Sequence, residues 1–116
     1  MRYRRFRLQD LLREEISSII HRDLKDPGLG LITIMDVRVN EDLRSAKILY
    51  SVYGDKAEKE RTSEALKRSR GYIKYLLGQR IKLKYMPDII FVADDTFEHI
   101  EKIEGILKKV SHASDD

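Results

Sequence analysis

The segment RTSEALKRSRGYIKYLLGQRIKLK, residues 61–84, decides how this chain can fold. It holds eight lysines and arginines against one acid, Glu64, whereas the whole chain of 116 residues has a net charge of only +3. At 100° per residue, residues 64–78 form an amphipathic helix. The side predicted to face the core consists of Ala65, Leu66, Ser69, Tyr72, Ile73, Leu76 and Leu77. Lys67, Arg70 and Lys74 form a basic stripe on the opposite side.

Gly71 lies in this basic stripe, inside the predicted helix. A glycine in a helix interior costs roughly 1 kcal/mol relative to alanine, and here it gains no core packing in return. Either the helix kinks at Ser69, Arg70 and Gly71, or the missing side chain lets a ligand approach the backbone. Because the neighbouring residues are basic, a phosphate is the natural ligand. A solvated charged face with an incidental glycine is the remaining alternative.

Length and composition exclude several classes of protein. A chain of this size forms one domain, which we place at residues 1–110, with a disordered tail at 111–116. The chain has no cysteine, which excludes disulfides and thiol nucleophiles and agrees with a reducing, cytoplasmic location. No apolar run approaches the roughly 20 residues of a membrane span, and the N-terminal residues lack a secretory signal. We expect a soluble monomer.

The flanking segments predict an α+β domain. Apolar residues at spacings of three and four predict an amphipathic first helix from about Phe6 to Arg22. Its apolar side is predicted to consist of Leu8, Leu12, Ile16 and Ile19, with Leu11 and Ile20 beside them. The arginines near its start, Arg4, Arg5 and Arg7, form either a flexible basic arm that supports binding or a solubilising end. Alternation predicts a hairpin of two strands over residues 31–41 and 44–52. The inward side chains of the hairpin are predicted to be Leu31, Thr33, Met35, Val37 and Val39, then Ala46, Ile48, Tyr50 and Val52.

The C-terminal third completes this arrangement. Residues 56–61 are predicted to be a polar lead-in to the basic helix, and Gly78 is its possible end. Residues 81–85 form an edge strand or an extended linker, and residues 88–93 form one buried strand. A last helix, capped by Asp94, Asp95 and Thr96, has an apolar side of Phe97, Ile100, Ile103, Leu107 and Val110. The sequence therefore predicts a three-stranded sheet with helices on one face, in the order helix, strand, strand, kinked helix, strand, helix.

Few residues suggest catalysis. The three histidines, His21, His99 and His112, have no metal-binding spacing, and there is no cysteine to join them. The pair Asp94 and Asp95 is explained by helix capping. Gly28-Leu29-Gly30 follows a helix and lacks a third glycine, so it is not a dinucleotide loop. We therefore expect no enzyme activity, no metal and no cofactor.

Three stretches together resemble the ribosome-binding factor A family. They are the turn KDPGLG at 25–30, the strand pair ITIMDVRVNEDLRSAKILYSV at 32–52, and RSRGYIKYLLGQRIKLKYMPDIIFVAD at 68–94. The resemblance implies a KH-like domain of type II order, in which a kink at Ser69 to Gly71 replaces the usual GxxG loop. It also implies a factor that binds the immature small ribosomal subunit, assists late maturation of the 5′ end of its RNA, and matters most in the cold.

The leading hypothesis is thus a non-enzymatic assembly factor that binds structured ribosomal RNA. Its predicted RNA-binding residues are Lys67, Arg70, Gly71, Lys74, Arg80, Lys82 and Lys84, supported by Arg4, Arg5 and Arg7. Phosphate contacts would supply the affinity. An alternative is a protein-interaction module whose acidic last helix, with Glu98, Glu101 and Glu104, recruits a basic partner. A metal-dependent nuclease is a third hypothesis.

Overall fold

A computed structural model describes the backbone of residues 2–94 and the side chains from Arg4 onward. Helix α1 spans Arg2–Ser18 and continues as one π-helical turn, Ile19–Asp23. Strands β1, Leu31–Val39, and β2, Ser45–Tyr53, precede helix α2, Lys56–Arg80, and strand β3, Asp88–Ala93. The predicted last helix, the domain limit at residue 110 and the tail 111–116 lie outside the described residues.

The sheet has the order β1-β2-β3. Strands β1 and β2 pair antiparallel, as the hairpin pattern predicts, with Val39 opposite Ala46. Strand β3 pairs parallel to β2, with Ala46 opposite Ile89 and Ile48 opposite Phe91. Parallel neighbours need a long crossover between them, and α2 supplies it. This arrangement confirms the predicted α+β, KH-like order.

Both helices contribute apolar side chains to a single core with the sheet. From α1 and its π-helical turn the buried residues are Leu8, Leu12, Ile16, Ile19 and Ile20, and from α2 they are Thr62, Ala65, Leu66, Ile73 and Leu77. The sheet contributes Ile32, Ile34, Val37, Val39, Ala46, Ile48, Tyr50 and Ile89. The periodicity of the sequence therefore located most of the buried sides of α1 and α2. The exceptions are Leu11 and Tyr72, which are 40% and 51% exposed.

The predicted inward face of β1 is wrong over its first half. Ile32 and Ile34 are buried, whereas Leu31 and Met35 are 73% and 43% exposed. The cause is a β-bulge: Ile34 lies opposite Tyr50 and Asp36 opposite Leu49, so Met35 has no partner. One extra residue reverses the alternation of side chains along a strand. Val37 and Val39 are consequently buried as predicted.

The bounds of both helices also differ from the predictions. Because α1 begins at Arg2, the residues Arg4, Arg5 and Arg7 belong to a helix and do not form a flexible arm. Helix α2 begins at Lys56, so residues 56–61 are helical. The Asp55 carboxylate caps this start by accepting a hydrogen bond from the Glu58 amide at 2.8 Å. Helix α2 continues past Gly78 to Arg80.

The chain after α2 is an extended linker, since no strand forms between Arg80 and Asp88. Strand β3 is an edge strand, and its burial is lower than its composition predicts. Ile89 is fully buried, but Ile90 and Val92 are 40% and 37% exposed on the other face of the sheet. The predicted strand over residues 88–93 is therefore confirmed, but the prediction that it is buried is wrong, because only Ile89 of its residues is buried.

Candidate nucleic-acid interface

The outward side of α2 carries the strongest candidates for RNA contact. Lys67 and Arg70 are exposed, and within the described part of the chain Arg70 makes no hydrogen bond or ion pair. Lys67 has one ion pair, to Glu64 at 3.7 Å on the same helix, and both side chains are largely exposed. Such exposed pairs contribute little energy. Both cations are therefore available to a polyanion.

Gly71 lies beside these two cations, and its surroundings are open. A Cβ atom placed at Gly71 would meet nothing within 4 Å. The helix runs without interruption through Ser69, Arg70 and Gly71, so the two halves are not separate helices. A bend at these residues remains a prediction. The openness at Gly71 fits the second explanation of this glycine, a bare stretch of backbone.

Two other predicted residues are engaged within the protein. The Lys74 ammonium lies 3.1 Å from the Asp88 carboxylate at the start of β3. The Arg80 guanidinium donates to Asp23 at 2.7 Å and lies 3.7 Å from Glu15, so it ties the end of α2 to α1 and its π-helical turn. The Arg80 side chain is only 32% exposed. Arg80 thus has a structural role that its sequence position does not show.

The linker after α2 and the start of α1 place further cations along one open cavity of about 1070 Å³. Lys84, Arg4 and Arg7 line it together with Arg44 from the hairpin turn, and apolar side chains such as Leu11 and Met86 form much of its surface. Asp10, Glu14, Asp42 and Asp88 also line it, so four acids balance four cations. Asp88 connects this cavity to Lys74 through the ion pair.

The remaining predicted residues differ in how exposed they are and in how many contacts they make within the protein. Lys82 is exposed and makes no hydrogen bond or ion pair with any described residue. The Lys84 ammonium lies 5.7 Å from the centroid of the Tyr85 ring. Arg5, by contrast, packs over the Phe6 ring at 5.0 Å and faces Glu41 at 3.7 Å, with only 25% of its side chain exposed. Arg5 is therefore the least accessible of the three N-terminal arginines.

The turn KDPGLG fixes α2 against the hairpin. The Asp26 carboxylate accepts a hydrogen bond from the Gly28 amide at 2.8 Å and from the Arg68 guanidinium at 3.1 Å. The Gly28 amide and then Arg68 stabilise the charged form, which lowers the pKa of Asp26 below its ordinary value. The buried Thr62 hydroxyl accepts from the Gly30 amide at 3.1 Å. These bonds set the position from which the basic stripe is presented.

The sequence analysis did not predict Arg44, Tyr72 or Tyr75 as surface residues near the candidate interface. Arg44 lines the cavity. Tyr72 and Tyr75 form an exposed pair of stacked rings on α2, with their centroids 6.5 Å apart. The helical wheel places Tyr72 at the border of the apolar side, and only the packed structure shows that it lies outside the core. Arg68 differs from its basic neighbours because Asp26, 42 residues earlier, binds it.

Residues 2–94 contain neither a cluster of potential metal ligands nor a helix that could span a membrane. Over residues 2–94 the structure brings together no group of three histidine, aspartate or glutamate side chains that could hold a metal ion. Neither helix is long and apolar enough to cross a membrane. His99 and His112 lie outside the described part.

These features define a class of protein: a small α+β domain that presents an open cationic helix on the side away from its core. Comparison with known proteins gives the family. Residues 4–107 match the family model of ribosome-binding factor A, and the chain belongs to this family. It is 50% identical over 109 residues to ribosome-binding factor A of Halothermothrix orenii, which covers 94% of this chain and 89% of the relative. It is 44% identical to that of Clostridium tetani, covering 98% and 95%.

Solved structures agree on the fold. The crystal structure of ribosome-binding factor A from Thermus thermophilus superimposes with a TM-score of 0.69 at 22% identity, covering 77% of this chain and 93% of that one. A homology model of the Thermus thermophilus protein, fitted into a cryo-EM map of its complex with the 30S subunit, gives a TM-score of 0.58 at 24% identity. That match covers 79% of this chain and 92% of the other.

Proposed function

We propose that this protein is a ribosome assembly factor that binds the immature small ribosomal subunit and assists late maturation of the 5′ end of its RNA. It acts by binding RNA and not by catalysis, as a monomer in the cytoplasm, without a cofactor. Family membership supports the ribosomal partner, and the Thermus thermophilus relative has been fitted into a map of a 30S complex.

The observation that carries the proposal is the open stripe on α2. Lys67 and Arg70 extend into solvent next to the bare backbone of Gly71, and no described acid from another element neutralises them. A phosphate can therefore approach the helix and meet two cations at once. Phosphate contacts supply affinity and orientation. In this proposal, Lys82, Lys84, Arg4 and Arg7 supply further phosphate contacts outside α2.

The test is a matched pair of charge reversals. In the first variant, Lys67→Glu and Arg70→Glu reverse the two cations of the basic stripe that no other element pairs. The control variant, Lys47→Glu with Lys56→Glu, changes the net charge by the same amount as the first variant. Lys47 lies on the exposed face of β2, and Lys56 is the first residue of α2. All four side chains are exposed. Co-sedimentation with immature small subunits is measured for both variants and for the wild type.

We expect the first variant to lose about tenfold or more in affinity, because two phosphate contacts become repulsive. The control is expected to bind like the wild type. Equal losses in both variants would show that only net charge matters and would contradict a specific interface on α2.

Maturation of the RNA gives a second readout. In cells whose only copy carries Lys67→Glu and Arg70→Glu, we expect small-subunit RNA with unprocessed 5′ ends to accumulate, most strongly in the cold. Purified wild-type protein with Mg²⁺ should leave the precursor RNA intact. Cleavage by the purified protein would overturn the non-enzymatic proposal and favour the nuclease hypothesis.

A further inference from the structure

Helix α2 carries an exposed pair of aromatic rings beside its basic stripe. The rings of Tyr72 and Tyr75 are stacked at an interplanar angle of 26°, with 51% and 60% of these residues exposed. The Tyr75 hydroxyl accepts a hydrogen bond from the Gln79 amide at 2.7 Å. Tyr75 is therefore held both by a neighbouring ring and by a hydrogen bond, although it lies at the surface.

The position of Tyr75 relative to the cations is equally informative. Lys67, Gly71 and Tyr75 follow one another at steps of four residues, so they form one row along the helix. The rise from Gly71 to Tyr75 is about 6 Å, a distance that one nucleotide spans between its phosphate and its base. A phosphate held at Gly71 and Lys67 would thus bring its base to the Tyr75 ring.

The other strongly exposed tyrosines lack this arrangement. Tyr53 and Tyr85 are 81% and 79% exposed, and neither stacks on another ring within the described residues. Tyrosine offers a large flat surface at low conformational cost, since it has only two side-chain torsions. Proteins that bind single-stranded nucleic acid combine such rings with a cationic groove, because every base has a face that can stack.

We propose that Tyr75, positioned by Tyr72 and Gln79, stacks on an unpaired RNA base, so that α2 binds a single-stranded nucleotide and not only duplex phosphates. This inference rests on the proposed RNA-binding function and names the form of RNA that the site takes. Tyr75 is the stacking residue, and Tyr72 and Gln79 are positioning residues.

The experiment compares two RNA probes, a mixed-sequence single strand of about 12 nucleotides, within the range bound by single-strand modules, and its duplex. The full chain is titrated with each probe by fluorescence anisotropy. Tyr75→Ala is expected to weaken single-strand binding by about 5- to 100-fold and to leave duplex binding unchanged. The slope of affinity against salt should stay the same, because the substitution removes no charge.

Two variants control for structure. Tyr75→Leu keeps an apolar side chain and helix propensity but lacks the ring, and it should lose as much affinity as Tyr75→Ala. Tyr53→Ala removes a tyrosine of β2 that is even more exposed than Tyr75, and this variant should bind like the wild type. The chain has no tryptophan, so quenching of tyrosine fluorescence by single-stranded RNA in the wild type, reduced in Tyr75→Leu, reports the stack directly.

The outcomes separate the two proposals. If wild type, Tyr75→Ala and Tyr75→Leu bound single-stranded RNA with the same affinity and the same steep dependence on salt, the stacking inference would be overturned and the proposed function would stand. The tyrosine pair would then only stabilise the helix. A wild type that binds neither probe nor small subunits would overturn both.

Discussion

At the scale of single residues, Gly71 is the position where stability and binding oppose each other most clearly. It lies in the middle of a 25-residue helix, and nothing surrounds it that a side chain would disturb. An alanine there would restrict the unfolded chain and suit the helix better. In the proposed function, the bare backbone at this open site beside Lys67 and Arg70 serves contact with a phosphate.

Replacing Gly71 with alanine should therefore move stability and binding in opposite directions. We expect the free energy of unfolding to rise by about 0.5–1 kcal/mol. RNA affinity should fall by about tenfold, because the added methyl group holds the phosphate away from the backbone. Urea unfolding and co-sedimentation with small subunits measure the two effects.

Gly78→Ala is the matched control for Gly71→Ala, because Gly78 is also helical and a Cβ atom placed there would likewise meet nothing within 4 Å. It should give the same gain in stability with affinity near that of the wild type. If both glycine variants lost affinity equally, a specific backbone contact at Gly71 would be disproved.

Asp26 gives a prediction about pH. Hydrogen bonds from the Gly28 amide and Arg68 hold the pKa of Asp26 below its ordinary value of 3.8. A carboxylate with a lowered pKa in the folded state stabilises the protein above the unfolded pKa, and this contribution is lost as the pH falls through the folded value. Asp26→Asn should therefore lower the free energy of unfolding at pH 7, and the difference from wild type should shrink below pH 3.8.

Urea unfolding between pH 7 and the acid limit of reversibility measures this difference. Asp10→Asn is the control, since Asp10 is exposed and makes no hydrogen bond or ion pair with the described residues. A deficit in Asp26→Asn that persisted undiminished at low pH would show that the ionised carboxylate is not the cause.

At the scale of elements, α2 has an outward side that we propose binds RNA and a C-terminal end that Arg80 ties to α1 and its π-helical turn. Arg70 and Arg80 are ten residues apart on the same helix, yet only Arg80 is tied to acids of other elements, Asp23 and Glu15. The π-helical turn after α1 includes Asp23 at its end. This contact joins the end of α2 to the end of the π-helical turn.

Arginine-to-alanine substitutions at these two positions should therefore have opposite phenotypes. Arg80→Ala should lower the free energy of unfolding by about 1 kcal/mol, in the range of partly exposed ion pairs, with little change in RNA affinity. Arg70→Ala should leave stability within about 0.5 kcal/mol and weaken RNA binding. Thermal unfolding measures the stability of both variants, and anisotropy titration measures their affinity for RNA. If Arg80→Ala lost RNA binding but kept wild-type stability, Arg80 would be shown to contact RNA directly.

The strands show the limit of local patterns. Residues 31–35, LITIM, are apolar or neutral at every position, so either phase of alternation satisfies the sequence. The bulge at Met35 then changes phase within the strand. Pairing with β2 determines which residues face the core. The pattern of β2 is clearer than that of β1, because Ser45, Lys47 and Ser51 alternate with apolar residues and Leu49 is the one exception within residues 45–52.

At the scale of the whole molecule, charge is distributed unevenly along the chain. Residues 2–94 hold 20 lysines and arginines and 14 acids, a net of +6, and residues 95–116 hold 3 and 6, a net of −3. Within the described part of α2 and the linker after it, four predicted cations are not paired with another element: Lys67, Arg70, Lys82 and Lys84. Lys74 and Arg80 are so paired. These four set the expected electrostatic footprint of α2 and its linker.

The affinity for RNA should accordingly fall steeply with salt. Four neutralised phosphates give a slope of log affinity against log salt of about −3. Lys67→Gln should reduce the magnitude of the slope by nearly one unit, whereas Arg80→Gln should leave it unchanged. Anisotropy titrations at several salt concentrations measure the slope for each protein. A flat response in the wild type would contradict a phosphate-binding surface.

The sequence by itself determined the order of elements, the buried sides of α1 and α2, and the concentration of cations in residues 61–84. Each of these follows from periodicity or composition over neighbouring residues, which the chain carries locally. The resemblance carried by residues 25–30, 32–52 and 68–94 was sufficient for the family. The predicted last helix, and with it the alternative of an acidic docking helix, lies beyond the described residues.

Only the tertiary structure decided which cations remain open to a ligand. Lys74 and Arg80 are neutralised by acids 14 and 57 residues away, and Arg5 is packed over Phe6 against the hairpin turn. The tertiary structure also decided that Tyr72 lies outside the core and stacks on Tyr75. The physical reason is the same in each case: charge pairing and burial depend on distances in space between segments that are far apart in the chain, and no local pattern contains those distances.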